Sequence, residues 1–201
     1  MSQVSEKKLQ EVREQILNLK QSPLYEYRQQ NNYQPVIGSG SADARVMLVG
    51  EAPGKNEAET GEPFVGAAGQ ILDQLLKRIG LDRNKVYISN VVKDRPPGNR
   101  DPKPEEIKLY GPFLERQIEI IQPEVIVPLG RFSMNYIIKL FGLRERLDTI
   151  SQLHGQIFQV QTEGGLIKIL PMYHPAFALY NRRKLPEMEQ DFEKLKQVIT
   201  E

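Results

Sequence analysis

Four short apolar runs, each rich in β-branched residues and each closed by glycine, proline or charge, leave this chain little choice of architecture. They are Val46-Met-Leu-Val49, Val86-Tyr-Ile-Ser-Asn-Val-Val92, Val125-Ile-Val-Pro-Leu129 and Ile167-Lys-Ile-Leu-Pro-Met172. Runs of this length suit strands buried on both faces, as in a parallel sheet. Between them the apolar spacing changes to three and four. Ile71, Leu72, Leu75, Leu76 and Ile79 mark one helix between Gly69 and Ile79. Ile107, Leu114, Ile118 and Ile121 mark another, with Pro104 suited to its first turn. Arg131 to Leu140 and Pro186 to Ile199 read as further helices. Strands alternating with helices predict an α/β fold, a three-layer α/β/α sandwich around a four-stranded parallel sheet. Gln156 to Val160, followed by Gly164-Gly165, reads as a small hairpin leading into the last strand.

A chain of 201 residues holds one well-buried core and is short for two. Residues 1–201 are therefore expected to form a single domain, with 1–32 as an N-terminal helical appendage. Leu9, Val12, Ile16 and Leu19 share one face of that appendage. Its Glu, Lys and Gln content leaves no apolar core for a signal peptide, and no run reaches the roughly 18 apolar residues of a membrane span. A soluble, intracellular, cytoplasmic monomer with no membrane partner is the expectation. The net charge of +1 gives no broad basic footprint for nucleic acid, although a locally basic groove is compatible with it. The chain has no cysteine, which excludes disulfides, thiolate metal sites, cysteine-held iron–sulfur clusters and a cysteine nucleophile. With only His154 and His174 besides, no metal site is expected.

In open α/β sheets ligands bind beyond the carboxyl ends of the strands, so the informative loops follow the four runs. His174 opens the last of them, where an imidazole can donate a hydrogen bond to a leaving group that gains negative charge; a lone histidine is equally compatible with a structural role. Asn90 ends the second run. Its carboxamide offers the acceptor and donors needed to read a pyrimidine edge, or simply closes a turn. Phe64, between Pro63 and Val65-Gly66, is either a core plug or a stacking platform for a flat ligand. Lys93, Arg95 and Arg100 surround the rigid Pro96-Pro-Gly-Asn99 loop, and Arg182-Arg183 form a second basic patch. Each is a solvated face or one wall of a groove for a phosphate backbone. No phosphate-loop or dinucleotide fingerprint is present.

Taken together, Gly50-Glu-Ala-Pro-Gly54, Thr60-Gly-Glu-Pro-Phe-Val-Gly-Ala-Ala-Gly69, Tyr87-Ile-Ser-Asn-Val-Val-Lys93, Arg95-Pro-Pro-Gly-Asn-Arg100 and His174-Pro-Ala176 resemble the family 4 uracil-DNA glycosylases. The match runs in order from about Val36 to the last helix. It implies hydrolysis of the N-glycosidic bond of deoxyuridine flipped out of DNA, leaving an abasic site. By matching position, Phe64 would stack on uracil, Asn90 would bond its edge, and His174 would stabilise the departing anion. Gly50 and Ala52 would contact the base through the backbone of their loop. Pro175 and Ala176 would press into the vacated stack, and Lys93, Arg95, Arg100, Arg182 and Arg183 would hold the DNA.

The departures from the family pattern carry as much information. Ala52 stands where the best-known uracil glycosylases place a water-orienting Asp. That makes Glu51 the candidate to activate water, with Glu57 and Asn99 behind it. The family holds a four-iron, four-sulfur cluster on four cysteines. Asp94 and Tyr110 occupy two of those positions, and Leu19 and Ser22 match the others more loosely, so no cofactor is expected. Tyr180 replaces an Arg usual in the family, a role left to Arg182 or Arg183. A relative that binds DNA or uracil-containing strands without cleavage, or a glycosylase for another deaminated base, remains the alternative.

Overall fold

The computed structural model describes residues 2–200. In chain order its elements are α1 (Ser2–Leu17), α2 (Tyr25–Gln30), β1 (Ser39–Gly40), β2 (Val46–Gly50), α3 (Lys55–Thr60), α4 (Ala67–Arg78), β3 (Tyr87–Asn90) and α5 (Pro104–Ile121). There follow β4 (Val125–Pro128), α6 (Arg131–Leu140), α7 (Ile150–Leu153), β5 (Phe158–Thr162), β6 (Gly165–Ile169), α8 (Phe177–Tyr180) and α9 (Leu185–Thr200).

The strands form one six-stranded mixed sheet in the order β1-β3-β2-β4-β6-β5. Its centre is the four-stranded parallel arrangement the apolar runs predict, with Leu48 paired to Ile88 on one side and Val127 on the other. The expectation of four strands, all parallel, is corrected at both edges. β1 runs antiparallel to β3, and β5 runs antiparallel to β6. The reason lies in composition. Ser39-Gly40 has no apolar run to announce a strand, and β5 alternates buried and exposed residues as a one-sided edge strand does. The hairpin seen in the sequence is real, but its second arm is the last strand itself.

Alternation along the strands divides the core between two faces. Val46, Leu48, Ile88 and Val127 pack against Leu72, Leu75 and Leu76 of α4 and Phe192 and Leu195 of α9. Met47, Val49, Ile126 and Ile169 pack against Leu114 and Ile118 of α5 and Ile137 and Ile138 of α6. Each such leucine, taken fully from water, contributes roughly 1.5–3 kcal/mol before entropy is counted. A third, smaller cluster joins Val12 and Ile16 of α1 and Leu19 to Val92 and Tyr110. No helix among the described residues is long and apolar enough to cross a membrane.

From β2 the chain moves first to β3 on one side, then returns to β4 on the other. Such a reversal opens a crevice at the carboxyl ends of the strands.

Candidate active site

The loops after β2, β3 and β6 converge on a cleft of about 320 Å³ lined by Glu51, Ala52, Phe64, Asn90, Asn99 and His174. Arg100, Ala176 and Tyr180 reach the same cleft. Backbone pairing continues past the strands, Val91 donating to the Gly50 carbonyl and Val92 to that of Glu51, both at 3.0 Å. The β2 loop is thereby fixed against the β3 loop. Gly50 forms part of this crowded floor. A Cβ there would lie 2.2 Å from Asn90 Oδ1 and 2.8 Å from the Phe64 ring, so any side chain would expel one of them.

Phe64 is buried and adopts φ 51°, a left-handed conformation rare for an aromatic residue. Two features hold it there. Glu57 Oε1 accepts hydrogen bonds from the amides of Val65 (2.9 Å) and Gly66 (2.8 Å). Gly69 lets the start of α4 come so close that a Cβ would meet the Phe64 carbonyl oxygen at 1.8 Å. The ring stacks on His174 with centroids 5.4 Å apart and planes 30° off parallel. Glu57 is thus a bracket for the Phe64 loop, a role its sequence position did not reveal.

Asn90 is 2% exposed, and no protein hydrogen bond occupies its carboxamide among the described residues. Its backbone carbonyl accepts from Lys93 Nζ at 2.7 Å. This lysine corrects the sequence reading, because it is fully buried and no phosphate can reach it. Nζ also donates to Ser89 Oγ and Gln117 Oε1, each at 2.7 Å, and burial pulls its pKa well below the usual lysine range. Gln117 donates in turn to the Ile37 carbonyl and the Tyr87 hydroxyl. Lys93 therefore anchors the end of β3 from below. One signal was visible in the sequence: Gln117 interrupts the apolar stripe of α5 between Leu114 and Ile118.

Glu51 is half-buried, and its pKa is pushed up to about 7 by desolvation and then by Asp101, against the opposing pull of Arg131. Its carboxyl group therefore changes charge near neutral pH. Asn99 is exposed, with φ 54°, and its Oδ1 accepts from Arg95 Nε at 2.7 Å. Arg95 also donates to the Tyr33 hydroxyl at 2.7 Å. Arg100 is committed to the buried carboxylate of Glu106 through bonds of 2.5 and 3.0 Å, so only part of its guanidinium faces the cleft.

His174 Nδ1 accepts the Ala176 amide at 3.2 Å. In the neutral ring this leaves the proton on Nε2. Desolvation lowers the pKa to about 4, with Glu57 pulling the other way, so the ring is neutral at physiological pH. His154 does not line the cleft: its Nδ1 lies 2.6 Å from Asp191 and its ring packs on Tyr173. Pro175 is buried, leaving Ala176 as the partly exposed member of the pair. Tyr180 stands 88% exposed at the rim. Arg182 and Arg183 are exposed but are not brought into the cleft; Arg182 borders a separate depression beside Gln70 and Gln74.

Residues 37–199 match the model of the uracil DNA glycosylase superfamily. The chain is 44% identical over 187 residues to the type-4 uracil-DNA glycosylase of Archaeoglobus fulgidus, covering 93% of this chain and 91% of that one. It is 42% identical over 176 residues to the type-4 enzyme of Thermotoga maritima, covering 84% and 85% of the two chains. A type-5 uracil-DNA glycosylase of Thermus thermophilus is 34% identical over 126 residues, covering 55% of this chain and 57% of its own. The chain belongs to the uracil-DNA glycosylase superfamily and, within it, to the type-4 family.

The residues present do not fit that family's iron–sulfur cluster. Asp94 and Tyr110, and more loosely Leu19 and Ser22, stand where the family places its cluster cysteines, and none supplies a thiolate; the Tyr110 side chain is fully buried.

Proposed function

We propose that the protein, acting as a monomer, binds uracil-containing DNA, takes deoxyuridine into the cleft and hydrolyses its N-glycosidic bond. The observation that carries this reading is the meeting in one cleft of an unoccupied Asn90 carboxamide and a neutral His174 whose proton sits on Nε2. Asn90 can accept from uracil N3–H and donate to O4, while Phe64 stacks beneath the ring. As the N1–C1′ bond breaks, its electron pair passes to the base and the sugar becomes oxocarbenium-like. A donor aimed at the uracil anion then stabilises the transition state more than the ground state. Water adds at C1′ and gives its proton to the Glu51 carboxylate, with Asn99 across the cleft to orient it. Gly50 and Ala52 frame the base, and Arg100 and Ala176 face the strand, while Arg95 braces the loop through Asn99 and Tyr33. The exposed Tyr180 ring offers a stacking surface for a neighbouring base. Arg182 and Arg183 would act only on DNA extending past the cleft.

A second reading, binding of uracil-containing DNA without cleavage, is favoured by the absence of any cysteine to hold the family's cluster. Family membership supports the binding step under both readings. Labelled single- and double-stranded oligonucleotides carrying one deoxyuridine separate the two. Alkali-labile product that appears with released uracil supports hydrolysis; tight binding with no abasic product over hours moves the protein to the second reading.

If Glu51 accepts the proton, activity requires its ionised form. The rate should rise about tenfold per pH unit below roughly pH 7 and level off above it. Glu51→Gln should lose that slope along with most of the rate. The same upward shift makes ionised Glu51 a liability to the fold. An unfolded glutamate ionises near 4.5 and the folded one near 7, so stability falls as pH rises through that window. Glu51→Gln should therefore raise the melting temperature at pH 8 and leave it unchanged at pH 4. An unchanged pH–rate slope in the variant would remove Glu51 from the mechanism.

Lys93→Met keeps the length of the side chain and deletes the donor under Asn90. It should lower stability by about 1–3 kcal/mol in urea melts and weaken binding of free uracil roughly tenfold. Calorimetric titration showing unaltered uracil affinity would reduce Lys93 to a residue of the core.

A further inference from the structure

Ser22, Asp94 and Tyr110, which match the family's cluster-cysteine positions (Ser22 only loosely), meet in this chain in one buried polar network. Tyr110 on α5 donates its hydroxyl to Asp94 Oδ2 at 2.6 Å and lies 2.7 Å from Ser22 Oγ. Arg28 on α2 reaches the same carboxylate at 3.2 and 3.3 Å. Its other nitrogen donates to the Leu17 carbonyl at 3.0 Å, closing the end of α1. Leu19 packs against Tyr110 in the apolar shell around these groups. All the polar members are buried, with Arg28 at 3%, Asp94 at 1%, Ser22 at 4% and Tyr110 at 0% exposure. Each has a partner, as burial at that depth demands.

The neighbouring contacts give the network a direction. Asp94 is followed at once by Arg95, and the N-terminal segment that grips the first also grips the second. The Arg95 guanidinium bonds the Tyr33 hydroxyl at 2.7 Å and lies over the Tyr33 ring at 5.3 Å, with Tyr27 against that ring. Beyond Arg95, Asn99 and Arg100 enter the cleft. Three separate segments, the end of α1 with α2, the loop after β3, and α5, therefore meet behind a loop that lines the site.

We propose that Ser22, Arg28, Asp94 and Tyr110 act together as positioning residues for the 95–100 loop, so that the N-terminal helices are part of the substrate-binding apparatus. The inference rests on the reading of the cleft as the uracil-DNA site. An exposed loop of Pro, Gly and Asn residues does not hold its own conformation, and a charged, hydrogen-bonded anchor at its first residue restricts it. A buried ion pair is a poor source of net stability, since well-packed apolar residues of similar volume replace such pairs at little cost. Its value lies in specifying one arrangement.

Two changes to the full-length protein separate positioning from plain stability. Tyr110→Phe removes one hydroxyl and keeps the ring. The double change Arg28→Met with Asp94→Leu removes both charges and keeps the volume. Three quantities decide the matter: hydrogen–deuterium exchange along the chain, affinity for a labelled oligonucleotide carrying cleavage-resistant 2′-fluoro-deoxyuridine, and KM and kcat on the deoxyuridine oligonucleotide. Amides of residues 95–101 should exchange at least about tenfold faster in both variants, while the strands keep their protection. Kd and KM should rise roughly five- to tenfold, with kcat within about twofold of the parent. Unchanged loop exchange and affinity would overturn the proposal, as would acceleration spread evenly over the whole chain. Should the double variant not fold, Tyr110→Phe decides alone. A parent protein that releases no uracil would refute hydrolysis, yet exchange and 2′-fluoro-deoxyuridine binding would still report on the network.

Discussion

His174→Ala is expected to slow uracil release by about 10²–10³-fold while changing the affinity for uracil-containing DNA by much less. The asymmetry follows from where charge develops. Ground-state uracil presents a neutral carbonyl to the imidazole, whereas the departing base is an anion, and a fixed donor in a desolvated site favours the second far more. The structure supplies what such a donor needs. The Ala176 amide occupies Nδ1, and the Phe64 ring covers one face of the imidazole. The pKa of about 4 keeps the ring neutral, so the donor is the imidazole Nε2–H and the rate should show no titration from His174 above about pH 5. Unfolded histidine takes a proton near 6.5 and the folded ring only near 4. The parent therefore loses stability as pH falls through that interval, and the Ala variant should be the less acid-sensitive of the two. Single-turnover kinetics with saturating enzyme isolates the step. A variant that releases uracil at the parental rate would exclude His174 from catalysis.

How much of this was legible beforehand differs between scaffold and site. Three of the four central strands, β2, β3 and β4, announced themselves because both their faces are buried, which leaves an apolar run such as Val125-Ile-Val; β6, only partly buried, was marked by its β-branched residues. The edge strands did not announce themselves. Ser39-Gly40 is defined only by its pairing to Tyr87 and Ile88, a long-range contact that no local pattern encodes. The residues of the cleft were legible as loop positions after strands, and Glu51, Ala52, Phe64, Asn90, Asn99 and His174 do share one cleft.

The basic residues were read worst. Lys93 and Arg95 lie two apart in a loop rich in cations, and the polar break at Gln117 in the stripe of α5 does not by itself say which of them turns inward. Only the fold does so, by bringing Gln117 of α5 to the buried Ser89 of β3, where both accept from Lys93 Nζ. Arg28 has the same history. A charged residue in a short polar helix passes for surface until Asp94 and the end of α1 are seen around it. Interior ion pairs are long-range by nature, and a single sequence hides them for that reason.

Asn90→Asp should cost roughly 10³-fold or more in kcat/KM on uracil, because the change removes a donor and adds charge in a place built for neither loss. The carboxamide offers both partners uracil needs, an acceptor for N3–H and a donor for O4. An ionised carboxylate can still accept from N3–H, but it meets O4 with like charge and no proton. The substitution is nearly isosteric, so the floor formed by Gly50 and Phe64 should survive and the loss should be read as recognition, not as collapse. Discrimination should fall with it. A protonated aspartate can donate to cytosine N3 and accept from its exocyclic amine, so any residual activity should shift toward cytosine at lower pH. Matched oligonucleotides carrying uracil, cytosine, hypoxanthine or xanthine at one position would measure the change directly. If the variant still prefers uracil by the parental margin, the edge of the base is read elsewhere in the cleft, and the free carboxamide of Asn90 is there for packing.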